Sequence, residues 1–553
     1  MKFKKLISLA LVSAMAISTI GCGKTETTKS PEVAPEENKA VVTEAAPAED
    51  IDYPWEKYAE EVTITRGYPA SGNTFDPNVN GVDDSNNIWT QWFKDTYNIN
   101  VENAFEINDS EYSQKVDLLM ASGNLPDVFM VNSVQLKQCI ELGLVADLTE
   151  VFDKYATEEL KATMHNYELG FQSGFSDGKL YGISRQYFGD AGTMLNIWYR
   201  EDWANKLGVA KPTTLQEFKD LCIAFRDQDP DGNGQNDTLA LTLDNGLVNG
   251  IYSLMFAYGA YPNIWIEKDG QVQYGGIQPE AKAALAELNQ WYNEGIISQD
   301  WATTSRNQMK EGFTNGTAGA CLYASHIGYS LGVSLLGNNA DARIAPLAIP
   351  SATGDPIHYA VTWPINQYIV VNANCKNPEA AIKCMNGYTY FSEGGDAELC
   401  ELYAEGNGGL AMPFRINNAT DMQQHLEVVQ LLNGASDEGM LTTTMGKYLY
   451  IRKWLDEGSP EGYGQYVQLG PDGGYAQLNP IIEEGRVITD LLRGPQTETM
   501  ATTWSSLQTL LEETYTQIIC GQKPIDYFDE FVASWKALGG DQITVEMNEA
   551  YGK

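Results

Sequence analysis

The chain has 553 residues, of which 43% are hydrophobic and 20% charged, a composition typical of a globular protein. A single hydrophobic core stops growing near about 250–300 residues, so this length predicts two lobes or domains. The formal net charge of −38 repels phosphate backbones and therefore argues against a nucleic-acid partner.

The first 21 residues have the features of a signal peptide. The opening MKFKK supplies three lysines, and Leu6–Ile20 is an apolar run. Cys22 follows closely, and this arrangement resembles the bacterial lipobox, in which the cysteine is lipidated and becomes the first residue of the mature chain. That motif prefers an aliphatic residue three positions before the cysteine, where this chain has Thr19. A plain signal peptide with an incidental cysteine is the alternative.

The segment after Cys22 is predicted to be a tether. Residues 24–50 are rich in Glu, Ala, Pro, Thr and Lys and contain no aromatic residue, a composition that does not form a core. We therefore expect residues 22–52 to be a lipidated cysteine and a disordered linker, which hold the folded body at the extracellular face of the cell membrane. No later segment reaches the roughly 18–20 apolar residues of a membrane helix, so the lipid would be the only anchor.

The remaining cysteines and the histidines indicate neither disulfides nor zinc. Seven cysteines are left after Cys22, an odd number, and no pair has CxxC spacing. In an exported protein this predicts buried thiols in an anaerobic habitat rather than a disulfide framework. The four histidines have no spacing typical of metal ligands.

Short apolar strands alternate with helices in the body, beginning with a strand at Val62–Tyr68. This order predicts an α/β domain with a largely parallel sheet. Thr214 and Glu217 fit a capping box at the start of a later helix. Another helix is expected to end with Gly295 at its C′ position, and a third to begin at Pro378. The last hundred residues are predicted to be mainly helical.

The stretch FRDQDPDGNGQND places four aspartates, two asparagines and two glycines in thirteen residues directly after a helical pattern. Oxygen ligands on alternate residues, with glycines that allow a tight wrap, are typical of a calcium loop. One possible register starts at Asp227 and lacks its bidentate Glu, since Thr238 stands there. The favoured register has the ligands Asp229, Asp231, Asn233, Gln235 through its carbonyl, and Asp237. A structural Ca²⁺ is the prediction, and a metal-free Asp/Gly turn is the alternative.

The segment LNIWYREDWANKLGVAKPTTLQEFKDLCIAFRDQDPDGNGQND closely resembles part of the large lipid-anchored solute-binding proteins of bacterial ABC transporters, the oligosaccharide type of Gram-positive bacteria. The stretches GNLPDVFMVN, DGKLYGI, KNPEAAIKCMNGYTYF and YTQIICGQKP fit the same family in order and spacing. The resemblance runs from about Val62 to near the C-terminus. It implies that the DPDGNG loop is a calcium site, although the family usually has Glu where this chain has Thr238.

The resemblance also implies an α/β fold of two lobes joined by a hinge, with a cleft that closes over the ligand. The expected function is to capture an oligosaccharide outside the cell and to deliver it to an ABC transporter permease, as a monomer and without enzymatic activity. The expected boundaries are residues 53–188 for the first part of lobe 1, 189–355 for the first part of lobe 2 with the calcium loop, 356–410 for the return to lobe 1, and 411–553 for a mainly helical return to lobe 2.

Sugar recognition needs aromatic faces that stack on pyranose rings and polar side chains that bind hydroxyl groups. We expect such residues where the chain leaves the strands and the two lobes face each other. The candidate ligand-binding residues are Asn132, Arg185, Gln186, Asn249, Tyr252, Ser325, His326, Trp363 and Trp504. Core packing or an ordinary loop position is the alternative for each of them. Core packing is the expected role of Trp203, Trp291 and Trp535, which lie in helical patterns.

Two other functions remain open from the sequence. Residues 174–178 and 328–332 match the G-x-S-x-G spacing of a hydrolase nucleophile elbow, and Ser330 would need His358 or His425 as a partner. Such an elbow requires a strand–turn–helix context, and chance matches are expected in a chain with 51 glycines. A sensor or adhesin on the same scaffold is the second alternative. The acidity of the chain argues against a polyanionic sugar unless a few arginines in the cleft override it.

Overall fold

The computed structural model of the protein describes residues 52–70, 86–186, 189–393, 412–416 and 420–552. The predicted signal peptide, the lipidation site Cys22 and the linker before Asp52 lie outside the described residues. Within them, the strands are β1 Val62–Ala70, β2 Ile99–Asn108, β3 Val128–Val131, β4 Phe175–Ser176, β5 Lys179–Leu180, β6 Ile183–Gln186, β7 Leu195–Arg200, β8 Leu239–Thr242, β9 Trp265–Lys268, β10 Gln271–Tyr274, β11 Ala318–Ala324, β12 Ile344–Leu347, β13 Tyr359–Val361, β14 Ile365–Val371 and β15 Val487–Thr489.

Helices surround these strands and dominate the end of the chain. The α-helices are Ile88–Tyr97, Asp109–Ser122, Ser133–Glu141, Thr149–Tyr155, Glu158–His165, Glu168–Gln172, Gly189–Thr193, Glu201–Leu207, Leu215–Asp227, Ile251–Met255, Pro279–Asn293, Arg306–Thr314, Gly328–Asn338, Pro378–Glu393, Asp421–Leu432, Thr442–Glu457, Pro460–Leu469, Gly474–Glu483, Met500–Ile519, Tyr527–Trp535 and Asp541–Ala550. The prediction of a mainly helical C-terminal part is confirmed. None of the helices in the described ranges combines the length and the apolar character that a membrane span requires.

The first lobe is built on a five-stranded sheet with the order β2-β1-β3-β14-β6. Strand β1 pairs in parallel with β2 and β3, whereas β14 runs antiparallel to both β3 and β6. Strand β14 enters when the chain returns from the other lobe, without the crossover helix that a parallel connection needs. The prediction of a largely parallel sheet is therefore right for one half of this sheet only.

The second lobe is built on a four-stranded sheet with the order β12-β7-β11-β8. Strands β8 and β11 are parallel, and β7 runs antiparallel between β11 and β12. Every residue of β7 and β11 is buried. Strands buried on both faces read as continuous apolar runs, which explains why these segments lack an alternating pattern.

The described chain crosses between the two lobes three times. The first crossing joins β6 to β7. The second joins β13, whose Tyr359 and Val361 pack in the core of the second lobe, to β14 in the first sheet. The third follows Ile416, which packs in the first core, and precedes Met422, which packs against the second. The second and third crossings therefore come later than the expected boundaries at residues 356 and 411, because β13 and Ile416 still belong to the lobe the chain is leaving.

The predicted helix ends are confirmed. The Thr214 hydroxyl accepts a hydrogen bond from the Glu217 amide at 3.2 Å, and the Glu217 carboxylate accepts one from the Thr214 amide at 3.2 Å. Gly295 has a φ of 69°, as a C′ residue requires. A further helix begins at Pro378. The three tryptophans that were expected in the core are buried, namely Trp203, Trp291 and Trp535.

Six cysteines lie in the described ranges, and all six are free thiols: Cys139, Cys222, Cys321, Cys375, Cys384 and Cys520. Four of them are buried, and Cys375 and Cys520 are half-buried. Burial raises the pKa of the Cys139 and Cys375 thiols to about 11. A thiol with a raised pKa is largely protonated at neutral pH and reacts slowly, so these cysteines act as packing residues.

Candidate ligand-binding site

The carboxyl ends of the parallel strands define one edge of each sheet. In the first lobe, β1, β3 and β6 run in the same direction and end at a common edge, where Asp109 follows β2. In the second lobe, β8, β11 and β12 end together, and Asp244 and Ser325 lie just beyond β8 and β11. Ligands of open α/β sheets bind outside the carboxyl ends of strands, so these two edges are where a ligand is expected.

A cavity of about 170 Å³ lies at the carboxyl edge of the first sheet. Arg66 comes from β1, Arg185 from β6, and Arg415 from the short segment that packs on this lobe between its second and third crossings. Tyr68, Asp109, Met130 and Phe414 are further lining residues. We call this region the arginine cavity.

Neutral groups hold two of these arginines in place. Arg66 is 5% exposed; its Nε donates to Asn103 Oδ1 at 2.8 Å, and its guanidinium lies 4.5 Å from the centre of the Tyr68 ring. Arg185 Nε donates to the Arg415 carbonyl oxygen at 3.0 Å, and its Nη1 donates to the Gln367 side-chain oxygen. These contacts help to fix the planes of the two guanidinium groups.

The carboxyl edge of the second sheet has a different polar group, which we call the Asp244 cluster: Asp244, Asn249, Arg306 and Tyr323. The Asp244 carboxylate accepts from Asn249 Nδ2 at 3.0 Å and lies 4.0 Å from Arg306 Nε. Arg306 also donates to Asn249 Oδ1 at 3.2 Å and to the Tyr323 hydroxyl at 2.8 Å. Burial raises the pKa of Asp244, although its hydrogen bonds and Arg306 partly oppose this.

The sequence predicted Asn249 and missed the rest of this cluster. Asp244 stands two residues after the last residue of β8, so the rule of strand ends would have found it. Arg306 opens a separate helix and reaches the cluster through the tertiary fold, so no local pattern points to it. Asn249 itself is the last residue of the short 3-10 helix Leu247–Asn249, just before the helix Ile251–Met255.

Strand β11 ends at Ala324, and the residues that follow have separate environments. Ser325 has no exposed surface, and its hydroxyl accepts from Asn196 Nδ2 at 2.8 Å. Its prediction as a ligand contact is wrong, because the side chain is enclosed by the fold. His326 is half-buried at the same edge, and burial lowers the pKa of its imidazole, which favours the neutral ring.

Trp363 lies between β13 and β14, in the second crossing between the lobes. Its ring centre is 5.9 Å from that of Tyr167 in the first lobe. The Arg493 guanidinium, from the segment after β15, lies 5.8 Å from the Trp363 ring. Trp363 is thus in contact with both lobes and is half-buried, a position where closure of the lobes would move its surroundings.

Two aromatic candidates belong to the core. Trp504 was expected just before a helix, but it lies inside the helix Met500–Ile519 and is 9% exposed. Its ring stacks on Trp265, with 6.0 Å between the ring centres. Tyr252 is buried against Tyr515 at 6.1 Å. Both predictions as cleft residues are wrong, because the apolar face of each helix turns these rings inward.

Asn132 and Gln186 lie at the carboxyl edge of the first sheet. The Asn132 side chain accepts from the Gln135 amide at 2.9 Å, and the Gln135 side chain accepts from the Asn132 amide at 3.1 Å. Asn132 therefore caps the helix Ser133–Glu141, which is a structural role. Gln186 is the last residue of β6, where its backbone pairs with Ile365.

The acidic loop follows the helix Leu215–Asp227 directly. Asp229 has a φ of 44°, and Gly232 and Gly234 have φ values of 77° and 78°, so the loop coils tightly. The Asp229 carboxylate accepts from the Gly232 and Gly234 amides, both at 3.0 Å. Hydrogen bonding with Asp231 and with these amides holds the pKa of Asp229 below its usual range.

The other predicted ligands of this loop are close together. Asn233 Nδ2 donates to Asp231 Oδ2 at 2.8 Å and to Asp237 Oδ1 at 3.1 Å. The Gln235 amide donates to Asn233 Oδ1 at 2.6 Å. Among the described residues, no three His, Cys, Asp or Glu side chains are placed to hold a metal. A cation in this loop would therefore have to replace the hydrogen bonds of Asn233 and draw the carboxylates inward.

Neither G-x-S-x-G stretch forms a nucleophile elbow. Ser176 lies in the β4–β5 hairpin, whose turn contains Asp177 and Gly178 with positive φ. Ser330 lies inside the helix Gly328–Asn338 and donates to the Ile327 carbonyl oxygen at 3.1 Å. His425 is buried, with Nδ1 at 2.9 Å from the Leu469 carbonyl oxygen. The strand–turn–helix context that the hydrolase alternative needs is missing at Ser176. At Ser330 a strand, a turn and a helix do follow one another, but the serine lies within the helix and not at the turn.

The chain belongs to the bacterial extracellular solute-binding protein family, whose family model matches residues 78–386. Among curated relatives, it is 22% identical over 451 residues to the polygalacturonan/rhamnogalacturonan-binding protein YtcQ of Bacillus subtilis (strain 168), covering 80% of this chain and 84% of that protein. These relatives are binding proteins rather than enzymes.

Solved structures show the same two-lobe fold. The structure of alginate-binding protein AlgQ2 without calcium ion has a TM-score of 0.59 at 18% identity, over 90% of this chain and 99% of that one. An EF-hand mutant of the S. pneumoniae substrate-binding protein FusA, in complex with fructo-nystose, has a TM-score of 0.58 at 16% identity, over 89% and 99% of the two chains. The expected two-lobe α/β fold and the family are both confirmed.

Proposed function

We propose that this protein binds an oligosaccharide in the cleft between its two lobes and delivers it to the permease of an ABC transporter. The observation that carries the proposal is the pair of polar groups, the arginine cavity and the Asp244 cluster, at the carboxyl edges of the two sheets. Membership of the solute-binding family supports it. The relatives that bind polygalacturonan, rhamnogalacturonan or fructo-nystose support an oligosaccharide as the class of ligand.

The proposed roles follow from the chemistry of the side chains. Asn249 and Arg306 offer amide and guanidinium groups to sugar hydroxyls, and the half-buried Trp363 offers a ring face for stacking on a pyranose. His326 in its neutral form adds one donor or acceptor. Closure would use the three crossings as the hinge, with Trp363 between Tyr167 and Arg493 as a contact that changes with the angle of the lobes. We expect the protein to act as a monomer.

A thermal-shift screen of the full chain with Cys22→Ser tests this function. A ligand that binds only the folded protein raises the melting temperature. We expect a rise with at least one oligosaccharide and a smaller rise for Arg306→Gln, with Arg452→Gln on an exposed helix as the control. No rise with any neutral or acidic oligosaccharide would contradict the proposal.

We also propose that Cys22 carries the lipid that holds the protein at the extracellular face of the membrane. The apolar run before Cys22 and the LipO lipoprotein of Bacillus subtilis, 27% identical over 218 residues, support this. Expression of Cys22→Ser in a Gram-positive host should release the protein into the medium, whereas the unchanged chain should sediment with membranes. Equal membrane retention of both chains would contradict a lipid anchor.

A structural Ca²⁺ in the loop Asp229–Asp237 is part of the proposal. The donors are carboxylate, amide and carbonyl oxygens, which Ca²⁺ prefers. Thr238, which follows Asp237 directly, supports a cation at this end of the loop. Its hydroxyl is buried and has no hydrogen-bond partner among the described residues. If the free Ca²⁺ concentration is 100 times the Kd, binding adds about 2.7 kcal/mol to the free energy of unfolding.

Melting curves in calcium and in chelator test this site. We expect calcium to raise the melting temperature of the unchanged chain and of Asp220→Asn, whose carboxylate lies on the exposed face of the preceding helix. The rise should be lost in Asp237→Asn and Asp231→Asn. The same rise in all four chains would place calcium elsewhere or show that its effect is unspecific.

A further inference from the structure

We propose that Asp52–Tyr58, which we call the N-terminal clasp, fastens the start of β1 to three helices of the first lobe. In this way the clasp keeps movement of the proposed tether away from the carboxyl edge of the first sheet, which we call the ligand edge. This inference goes beyond the proposed function, because it concerns how the site is held and not what it binds. Only the importance of the ligand edge rests on the proposed oligosaccharide-binding function.

The clasp lies at the edge of the first sheet that is opposite the ligand edge. Strand β1 starts shortly after the clasp, at Val62, whose amide donates to the Asn98 carbonyl oxygen at 3.0 Å. The other end of β1 contributes Arg66 and Tyr68 to the arginine cavity. Chain termini are poorly ordered unless contacts tie them down. One strand thus runs from the clasp to the cavity, and fraying that started at its first residue would travel toward the ligand edge.

Hydrogen bonds hold the backbone of the clasp. The Tyr58 amide donates to the Tyr97 carbonyl oxygen at 3.0 Å, and the Tyr58 carbonyl oxygen accepts from Asn98 Nδ2 at 3.2 Å. The Glu56 carbonyl oxygen accepts from Lys383 Nζ. Because these partners come from two helices that are far apart in sequence, the clasp is a feature of the tertiary fold and not of a local pattern.

Lys383 is at the centre of the clasp. It is 1% exposed, and its Nζ lies 4.8 Å from the centre of the Tyr58 ring, 5.6 Å from that of Tyr155 and 5.8 Å from that of Tyr97. Burial lowers the pKa of Lys383, since a buried ammonium is costly without favourable partners. Ring faces and a carbonyl oxygen are such partners. Two of them, Tyr58 and Glu56, belong to the clasp, so Lys383 draws the clasp onto the lobe.

Trp55 is the second fixed point of the clasp. Its ring stacks on that of Tyr97, with 5.8 Å between the ring centres and 14° between the planes. It also meets the Tyr390 ring edge-on at 5.4 Å. Tyr390 lies in the helix Pro378–Glu393, which follows β14, the strand that brings the chain back into the first lobe. Trp55 thus joins the start of the folded body to the part of the first lobe that is formed after the second crossing.

Limited trypsin digestion of the full chain with Cys22→Ser tests whether the clasp is fastened. Trypsin cuts after lysine, and the chain has Lys39 in the proposed tether and the exposed Lys57 within the clasp. The residues on both sides of Lys57 have hydrogen-bonded backbone groups, which a protease has to release first. We therefore expect cutting after Lys57 to be slower than cutting after Lys39 by about a hundredfold or more.

Three variants and a control test which contacts hold the clasp. Trp55→Ala and Lys383→Met should each speed cutting within the clasp by about tenfold or more. Tyr58→Phe removes the hydrogen bond from the hydroxyl to Glu379 Oε1 at 2.7 Å and should speed it by about two- to tenfold. The control Lys523→Met removes an ammonium that lies 4.2 Å from a tyrosine ring centre in the second lobe, and it should leave the rate unchanged.

Hydrogen exchange of backbone amides tests the link to the ligand edge. In Trp55→Ala and Lys383→Met, exchange should rise by about tenfold or more along β1, including the amides of Arg66 and Tyr68 at the cavity. In β14 of the same sheet, exchange should stay within about twofold of the unchanged chain. A merely structural contribution would instead speed exchange in both strands alike.

Each outcome either supports or overturns the inference. Equal cutting after Lys39 and Lys57 in the unchanged chain would overturn the clasp, and so would unchanged cutting in all three variants. Equal acceleration of exchange in β1 and β14, or acceleration that stops before Arg66, would overturn the link to the ligand edge. Melting curves show which variants fold, and Tyr58→Phe is the mildest of them. These measurements use no sugar, so failure of every oligosaccharide to bind would overturn the proposed function and leave the clasp intact.

Discussion

The arginine cavity and the Asp244 cluster lie at equivalent edges of their sheets but handle charge differently. In the Asp244 cluster, the carboxylate, an amide and a guanidinium bond to one another within the same lobe. In the arginine cavity, the described lining has three arginines and one carboxylate, and Asn103 and the Arg415 carbonyl are among the groups that orient two of the arginines. The Asp244 cluster therefore pairs opposite charges within one lobe, whereas the described lining of the arginine cavity brings together arginines from three distant parts of the chain.

Because of this difference, we expect substitutions in the Asp244 cluster to affect mainly stability and substitutions in the arginine cavity to affect mainly binding. Within the Asp244 cluster, removal of one member leaves the others with unmet hydrogen bonds, so the free energy of unfolding should fall. In the arginine cavity, removal of one cation also relieves repulsion among the remaining ones, so affinity should change more than stability. The predictions below test this contrast, in order of the expected effect.

Asp244→Ala should show the largest loss of stability. Asp244 is 3% exposed and accepts from the Gly246 and Asn249 nitrogens at 3.1 and 3.0 Å. The alanine would leave both nitrogen donors without their acceptor and would remove the carboxylate that lies 4.0 Å from Arg306 Nε, which together costs about 3–4 kcal/mol. Urea unfolding measures this, with Asp220→Ala on an exposed helix face as the control. A loss no larger than that of the control would mean that the cluster does not support the lobe, and the contrast would fail.

Asp490 should make the free energy of unfolding depend on pH. Its carboxylate is buried and accepts from the Trp265 and Leu492 amides at 3.0 and 2.9 Å, and burial raises its pKa to about 6. The native state then holds this proton more tightly than the unfolded state. The stabilisation is therefore full below pH 4 and is lost as the pH rises through about 6, a change of about 2–3 kcal/mol.

Asp490→Asn isolates that contribution from the other carboxylates. Asparagine keeps the oxygen that accepts both amides and cannot ionise. The difference in free energy of unfolding between the variant and the unchanged chain should grow in favour of the variant between pH 4 and 6, and then stay level. A constant difference across this range would show that Asp490 does not titrate there.

Phe414 tests how the arginine cavity is held. Because its φ is 57°, any residue with a Cβ is strained at this position, whereas glycine is not. Phe414→Ala and Phe414→Gly both lose the buried ring, yet the glycine variant should be more stable than the alanine variant by about 1 kcal/mol. Guanidinium unfolding of the pair measures this difference. Equal stability would mean that the backbone relaxes, and that the conformation is not enforced.

The sequence predicted those features that depend on neighbours in the chain. The capping box of Thr214 and Glu217 and the end of β11 before Ser325 were readable because a few adjacent residues determine them. Membership of the family and the two-lobe fold followed from longer stretches in order. Arg185 was found because it lies at the carboxyl end of β6, and the direction of a strand determines at which edge of the sheet that end lies.

Features that depend on the tertiary fold were missed. Arg66 reaches the cavity because β1 pairs with β3 at Arg66 and Val128, and Arg415 does so only after the second crossing. Neither has a local pattern that separates it from a surface arginine. Trp504 shows the opposite error, since Met500, Trp504 and Leu507 already have the spacing of a buried helix face. The prediction relied on Trp504 being aromatic and overlooked its helical spacing from Met500 and Leu507.

Arg452→Gln should have the smallest effect and is the control for Arg306→Gln. Its Nη2 lies 2.7 Å from Asp456 Oδ1, one turn along an exposed helix, and both side chains are about half exposed. Such pairs contribute about 0.3–0.5 kcal/mol at most, and the basic residue precedes the acidic one, which is the weaker orientation. Arg452→Gln should therefore change the free energy of unfolding by less than about 0.5 kcal/mol and leave oligosaccharide affinity unchanged. If Arg452→Gln lowers oligosaccharide affinity as much as Arg306→Gln does, Arg306 acts through the overall charge of the protein, and the Asp244 cluster has no special role in binding.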